Sequence, residues 1–126
     1  MIYLLDVSSL LALLWTPHVH HRRVTEWQSS VELAVCAITE LGFVRISTQP
    51  GFDASVADAM KMLRDWKHAK KPRFVDCDLE VLAMKRPPTG NRTTDFYLAS
   101  LASKHGLRFA TLDEDVKHEA AFLIPT

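Results

Sequence analysis

Short apolar runs alternate with helical segments along the chain, and this alternation restricts the fold more than any other feature. A strand-length apolar run followed by a helical segment, repeated several times, is typical of parallel strands joined by crossover helices. We therefore expect an α/β protein with a central, mainly parallel sheet. The predicted strands span residues 2–5, 33–36, 73–75, 108–112 and 121–124, and the predicted helices span residues 8–15, 20–30, 39–47, 55–68, 79–84 and 94–105.

The length of 126 residues fits one domain, residues 1–126, with a substantial hydrophobic core. The apolar start lacks a preceding basic segment and is interrupted by Asp6, so it does not resemble a secretory signal. No apolar stretch approaches the ~20 residues that a membrane helix needs. Cys36 and Cys77 lack the spacing of a zinc or redox motif. We therefore expect reduced thiols in a cytoplasmic protein with no membrane association.

Four acidic residues occupy positions at which a carboxylate is costly. Asp6 and Asp113 follow predicted strands, whose carboxyl ends form the ligand-binding edge of an open parallel sheet. Glu40 and Asp95 lie near the starts of predicted helices, on the apolar face that packs inward. Buried carboxylates without a cation are unfavourable and repel one another, whereas Mg²⁺ and Mn²⁺ prefer carboxylate oxygens as ligands. The pattern indicates a divalent-metal site formed by all four acids.

Such a site would suit the hydrolysis of a phosphodiester by metal-activated water. The chain shows no serine or cysteine nucleophile arrangement and no glycine-rich phosphate loop. Each acid also has a structural explanation of its own. Asp6 could cap the next helix, Asp95 could stabilise the first turn of its helix, and Glu40 could face solvent. The spacing by itself leaves both interpretations open.

Four blocks of the sequence, at residues 4–13, 39–45, 94–102 and 110–113, each contain one of the four acids. In content and order they resemble the signature blocks of PIN-domain ribonucleases, and in particular the VapC-like toxins of type II toxin–antitoxin pairs. The resemblance implies a compact three-layer α/β/α fold and Mg²⁺- or Mn²⁺-dependent cleavage of RNA, with tRNA as one candidate substrate. It also implies inhibition by a VapB-like antitoxin and a homodimeric state.

By position in these blocks, the resemblance makes Asp6 and Asp95 the principal metal ligands. Glu40 and Asp113 would complete the catalytic acidic site, by holding metal or by orienting the attacking water. Two positions depart from the family pattern. Ser8 stands where relatives often carry asparagine, and residues 114–116 read Glu-Asp-Val where a basic or glycine-containing turn is common. The candidate supporting residues are therefore Ser8, Thr111 and Asp115, and Asp115 could assist or partly replace Asp113.

The formal net charge is zero, with 15 basic and 15 acidic residues. If four acids bind metal, 11 acids remain, and the rest of the surface carries a surplus of four positive charges. Basic residues flank the loop that precedes Asp95, and they are candidates for contacting RNA phosphates. They are Lys85, Arg86 and Arg92, with a second basic run at Lys67, Lys70, Lys71 and Arg73. The histidines at 18, 20 and 21 are more typical of a partly packed surface than of a catalytic metal site.

Two other functions use parts of the same pattern. A haloacid-dehalogenase-like phosphatase also places an aspartate after its first strand, but it needs a second aspartate where this chain has Ser8. A PIN-like binding module, acting mainly through antitoxin binding and transcriptional co-repression, would keep the fold with weak catalysis. Because all four acidic positions are filled, the sequence favours the enzyme.

Overall fold

The computed structural model describes residues 1–126 and contains one five-stranded sheet. The strand order is β3-β2-β1-β4-β5, and all four neighbouring pairs are parallel. The prediction of a mainly parallel sheet is therefore confirmed, with no antiparallel strand. The strands are β1 (Ile2–Leu5), β2 (Glu32–Cys36), β3 (Arg73–Val75), β4 (Arg108–Thr111) and β5 (Ala121–Leu123).

Five α-helices connect the strands, and their ends fall within two residues of the predicted bounds. They are α1 (Val7–Leu14), α2 (His21–Gln28), α3 (Ala37–Ser47), α4 (Val56–Lys70) and α5 (Thr93–Lys104). The helix predicted over residues 79–84 is wrong, because only a 3₁₀ turn forms at 81–83. Leu82 there is 98% exposed and none of residues 81–83 is buried, so the middle of the segment lacks the packing that would stabilise a helix. None of the helices combines the length and apolar character needed to cross a membrane.

Consecutive residues of the central strand face opposite sides of the sheet, and each side is covered by helices. Leu4 packs into a core cluster formed largely by α5, including Phe96, and joined by Phe109 of β4. Leu5 packs into a second cluster with residues of α1 and α3, such as Leu10 and Phe43. A strand buried on both faces is characteristic of a three-layer α/β/α arrangement, which confirms the predicted fold class.

The central strand β1 lies between β2, which follows it in the chain, and β4, which comes much later. The chain therefore leaves β1 in one direction for β2 and later fills the other side with β4. Such a switch in strand order opens a crevice at the carboxyl ends of the strands. The backbone N–H of Asp6 extends the pairing with β4 by donating to the Ala110 carbonyl at 3.1 Å. Asp6 is therefore fixed at the mouth of this crevice.

Candidate active site

Asp6 is a buried carboxylate with neutral hydrogen-bond donors and no ion-pair partner. It is the N-cap of α1, where Oδ1 accepts the backbone N–H of Ser9 at 2.7 Å. Oδ2 accepts the hydroxyl of Thr111 at 2.7 Å. Burial raises the pKa of Asp6 to about 6, and the charge of Asp95 adds to this, although the bonds from Ser9 and Thr111 oppose the rise. Asp6 therefore caps α1, as its structural explanation predicted, but the capping hydrogen bond does not neutralise the charge of the carboxylate.

Thr111 connects two of the candidate acids. Its hydroxyl donates to Asp6 and accepts the backbone N–H of Asp113 at 3.0 Å. The same side chain thus ties the end of β1 to the turn that follows β4. Asp113 lies two residues beyond β4 and its Oδ1 accepts the backbone N–H of Asp115 at 2.9 Å. A turn of this kind fixes the direction of the Asp113 carboxylate.

Arg92 joins the other pair of acids. Its Nη1 donates to Oδ2 of Asp113 and lies 3.7 Å from Oδ2 of Asp95, in the first turn of α5. The bond to Arg92 holds the pKa of Asp113 below its usual value. The pKa of the half-buried Asp95 is raised, mainly by burial and also by Asp113, with Arg92 opposing. Asp95 therefore interacts electrostatically with both Asp6 and Asp113.

The carboxylate of Glu40 pairs with a lysine of α4 and does not join the other three acids. Its side chain is 18% exposed, and Oε2 accepts from Nζ of Lys67 in α4 at 2.6 Å. Lys67 also lies over the ring of Phe74, 4.9 Å from its centroid. Phe43, which shares the predicted inward face with Glu40, is fully buried. The helix face was therefore predicted correctly, but the carboxylate at its edge points to α4.

A family model described as the PIN domain matches residues 3–121 of the chain. The chain belongs to the PIN-domain family. The predicted family resemblance is thereby confirmed.

Three curated relatives of this PIN domain come from Mycobacterium tuberculosis. It is 38% identical to ribonuclease VapC38 over 121 residues, covering 90% of this chain and 86% of the relative. It is 39% identical to ribonuclease VapC44 over 123 residues, covering 90% of this chain and 87% of the relative. Ribonuclease VapC29 is 34% identical, and the match covers all of this chain and 98% of the relative.

A solved structure with a similar fold is that of VapBC2 from Rickettsia felis, bound to a DNA fragment from their promoter. The TM-score is 0.62 at 13% sequence identity, and the match covers 91% of this chain and 90% of the other. At this identity the likeness supports the fold.

Two of the three candidate supporting residues of the PIN domain, Ser8 and Asp115, line one cleft, whereas Thr111 is buried beneath it. Ser8, Asp113 and Asp115 line it together with His18 and His20. The backbone N–H of His20 donates to Nδ1 of His18 at 3.0 Å, so the two rings are held beside each other. The sequence did not place the histidines next to the acids. No spacing signal could have done so, because the cleft is formed by segments that lie about a hundred residues apart in the chain.

The candidate RNA-binding residues do not form one group. Lys85 pairs with Glu119 at 2.9 Å, and Arg86 is exposed without an ion-pair partner. The guanidinium of Arg92 contacts the carboxylates of Asp95 and Asp113. Lys67, from the second basic run, is the partner of Glu40. Two cations from the predicted basic segments therefore contact candidate metal ligands directly.

The donors of this PIN domain suit a hard divalent cation. Asp6, Asp95 and Asp113 supply only oxygen ligands, which Mg²⁺ and Mn²⁺ prefer, and the buried charge of Asp6 has no counterion. No three histidine, cysteine, aspartate or glutamate side chains converge on one point as the side chains now lie. Arg92 and Lys67 instead neutralise Asp113 and Glu40. The residues therefore fit a metal once these ion pairs rearrange.

Proposed function

We propose that this PIN domain, residues 1–126, is an endoribonuclease that depends on Mg²⁺ or Mn²⁺ and acts as the toxin of a toxin–antitoxin pair. The observation that carries the proposal is the buried, uncompensated carboxylate of Asp6, which interacts with Asp95 at the switch point of the sheet. A buried charge of this kind is costly unless a cation accompanies it. The relatives named ribonuclease VapC support the same activity.

Asp6 and Asp95 would hold the metal, with Asp113 completing the ligand set. A bound divalent ion supplies an activated water and stabilises the negative charge that develops on the phosphate. Thr111 keeps the Asp6 carboxylate oriented through its 2.7 Å hydrogen bond. The backbone N–H of Asp115 does the same for Asp113, so Asp113, rather than Asp115, is the better candidate for the fourth acid.

Glu40 would contribute only after its bridge to Lys67 opens. The pair is partly exposed, with 34% of the lysine side chain accessible, so the bridge is worth at most about 1 kcal/mol. A divalent ion or an RNA phosphate could compete with an interaction of that size. We therefore keep Glu40 as a candidate ligand or water-orienting residue of the loaded site.

The substrate proposed here is RNA, with tRNA as one candidate, and a cytoplasmic location follows from that substrate. Lys85 and Arg86 are candidates for holding the phosphate backbone beside the cleft. The partner would be a VapB-like antitoxin, as the VapBC complex with a similar fold suggests. Apolar side chains close to the first turn of α5 offer a surface for this partner or for a second copy in a homodimer. They are Ile38, Leu41, Val81 and Met84.

A cleavage assay with purified protein and total RNA tests the activity. Wild-type protein should cleave with Mg²⁺ or Mn²⁺ and stop when a chelator is in excess. Asp6→Asn and Asp95→Asn should each lower the rate by at least ~100-fold while remaining folded. Asp65→Asn, which removes an exposed carboxylate paired with Lys61, is the matched control and should cleave like wild type. Full activity of either site variant, or activity in chelator, would refute the mechanism.

A second experiment identifies the RNA and the partner. Sequencing RNA ends after brief induction, for wild type and Asp6→Asn, should give cleavage sites that are absent from the variant. Growth arrest by the wild-type protein should be relieved by co-expression of a small antitoxin-like partner. Arrest that persists in Asp6→Asn would show that toxicity does not depend on cleavage.

A further inference from the structure

Arg92 occupies the place where a cation for the acidic site is expected. Its guanidinium contacts oxygens of Asp95 and Asp113 and has no other hydrogen-bond or ion-pair partner. The backbone beneath it is a 3₁₀ turn, Gly90–Arg92, held by a bond from the Arg92 N–H to the Thr89 carbonyl at 3.1 Å. The two carboxylates therefore determine the position of the guanidinium, and nothing else in the fold fixes it.

We propose that Arg92 is an internal counterion of the metal site, which a divalent ion must displace from Asp95 and Asp113. Arg92 then sets the affinity of the protein for metal. The proposal rests on the proposed function, because it assumes that these acids are metal ligands.

Charge and geometry indicate that a divalent ion displaces the Arg92 guanidinium and does not bind beside it. The guanidinium carries one positive charge and binds Oδ2 of both acids, so a divalent ion on those oxygens would meet a cation in direct contact. The Arg92 side chain is 24% exposed and needs only to rotate into solvent, because the turn that carries it lies at the surface. A doubly charged ion gains more from the same carboxylates than a single guanidinium does.

Without Arg92, the metal-free protein would hold Asp95 and Asp113 beside each other with no cation on either. Like charges at close range raise the free energy of the empty site. Metal binding would then relieve repulsion instead of breaking two ion pairs, and affinity should increase. Arg92 is therefore a positioning residue that keeps the empty site stable and makes metal binding weaker than the acids alone would allow.

Isothermal titration of Mn²⁺ into the full metal-free chain, at about pH 8 where Asp6 is ionised, tests this. Arg92→Gln should bind Mn²⁺ about tenfold more tightly than wild type. It should also show a larger rise in Tm on addition of Mn²⁺. Arg22→Gln is the matched control, since it removes an exposed guanidinium paired with Glu26 in α2 and should match wild type within about twofold.

Unchanged or weaker Mn²⁺ binding by Arg92→Gln would overturn the proposal and leave the proposed function intact. If the wild-type protein bound no Mn²⁺, as we expect for Asp6→Asn, the metal site itself would be refuted. A measurement on the wild type keeps the test independent of variant folding. In ¹⁵N NMR, the Nε–H signal of Arg92 should shift when Mg²⁺ is added, and a signal that stays in place at saturating Mg²⁺ would also overturn the proposal.

Discussion

Replacing Asp6 by asparagine should stabilise the metal-free protein at neutral pH while it removes catalysis. The folded pKa of Asp6 is about 6, whereas the ordinary value is 3.8. The folded state therefore binds more protons than the unfolded chain between these two values, and stability falls as pH rises through this window. A difference of about 2 pH units corresponds to about 3 kcal/mol of lost stability above pH 6.

Asparagine keeps the shape of the side chain and carries no charge to bury. Its oxygen can accept the Ser9 N–H, and its amide can donate to the hydroxyl oxygen of Thr111, so the second contact is kept with its direction reversed. The stability difference between Asp6→Asn and wild type should be small near pH 4. It should grow to about 3 kcal/mol by about pH 7 and then stay level. For a chain of 126 residues this corresponds to roughly 10 °C in Tm.

The assay is urea unfolding in the presence of a chelator at several pH values, with both proteins measured in parallel. Subtracting the two curves removes every titrating group that they share, so the remaining pH dependence belongs to Asp6. Asp65→Asn serves as control because its exposed carboxylate has a lowered pKa and cannot produce a gain that grows with pH. A difference between Asp6→Asn and wild type that is flat from pH 4 to pH 8 would refute the reasoning.

Three further substitutions test neighbouring contacts. Thr111→Val should lower the free energy of unfolding by about 1–2 kcal/mol, because it removes the donor to Asp6 and the acceptor for the Asp113 N–H. It should also raise the pKa of Asp6 further, and pH-dependent unfolding measures both effects. Gly42→Ala should cost about 1–2 kcal/mol, because the new Cβ would lie 2.5 Å from Cγ2 of Val7, and adding Val7→Ala should restore the Tm. Glu40→Gln should cost no more than about 1 kcal/mol and reduce cleavage less than Asp6→Asn; an equal loss of cleavage would place Glu40 among the metal ligands.

The fold could be predicted from the sequence because strands and helices each have a characteristic spacing of apolar residues. The runs 2–5 and 108–112 are short and largely apolar because their strands lie in a sheet that is buried on both faces. Helix α5 ends just before Gly106, as the predicted range 94–105 implies, and the φ of +71° at Gly106 is accessible mainly to glycine. The prediction for the segment 79–84 was wrong because residues 81–83 at its centre are exposed, and only Leu79 and Met84 at its ends pack against the core.

The sequence by itself determined which carboxylates follow strands of the sheet. Asp6 follows β1 and Asp113 follows β4, and the ends of the apolar runs mark these positions, whereas the strand order that brings β1 beside β4 is seen only in the structure. Tertiary structure alone decided what each carboxylate contacts. Thr111 meets Asp6 across 105 residues of sequence, Lys67 meets Glu40 across 27, and Arg92 joins two acids in different elements. Such partners depend on the rotation and packing of whole helices, which local periodicity does not encode.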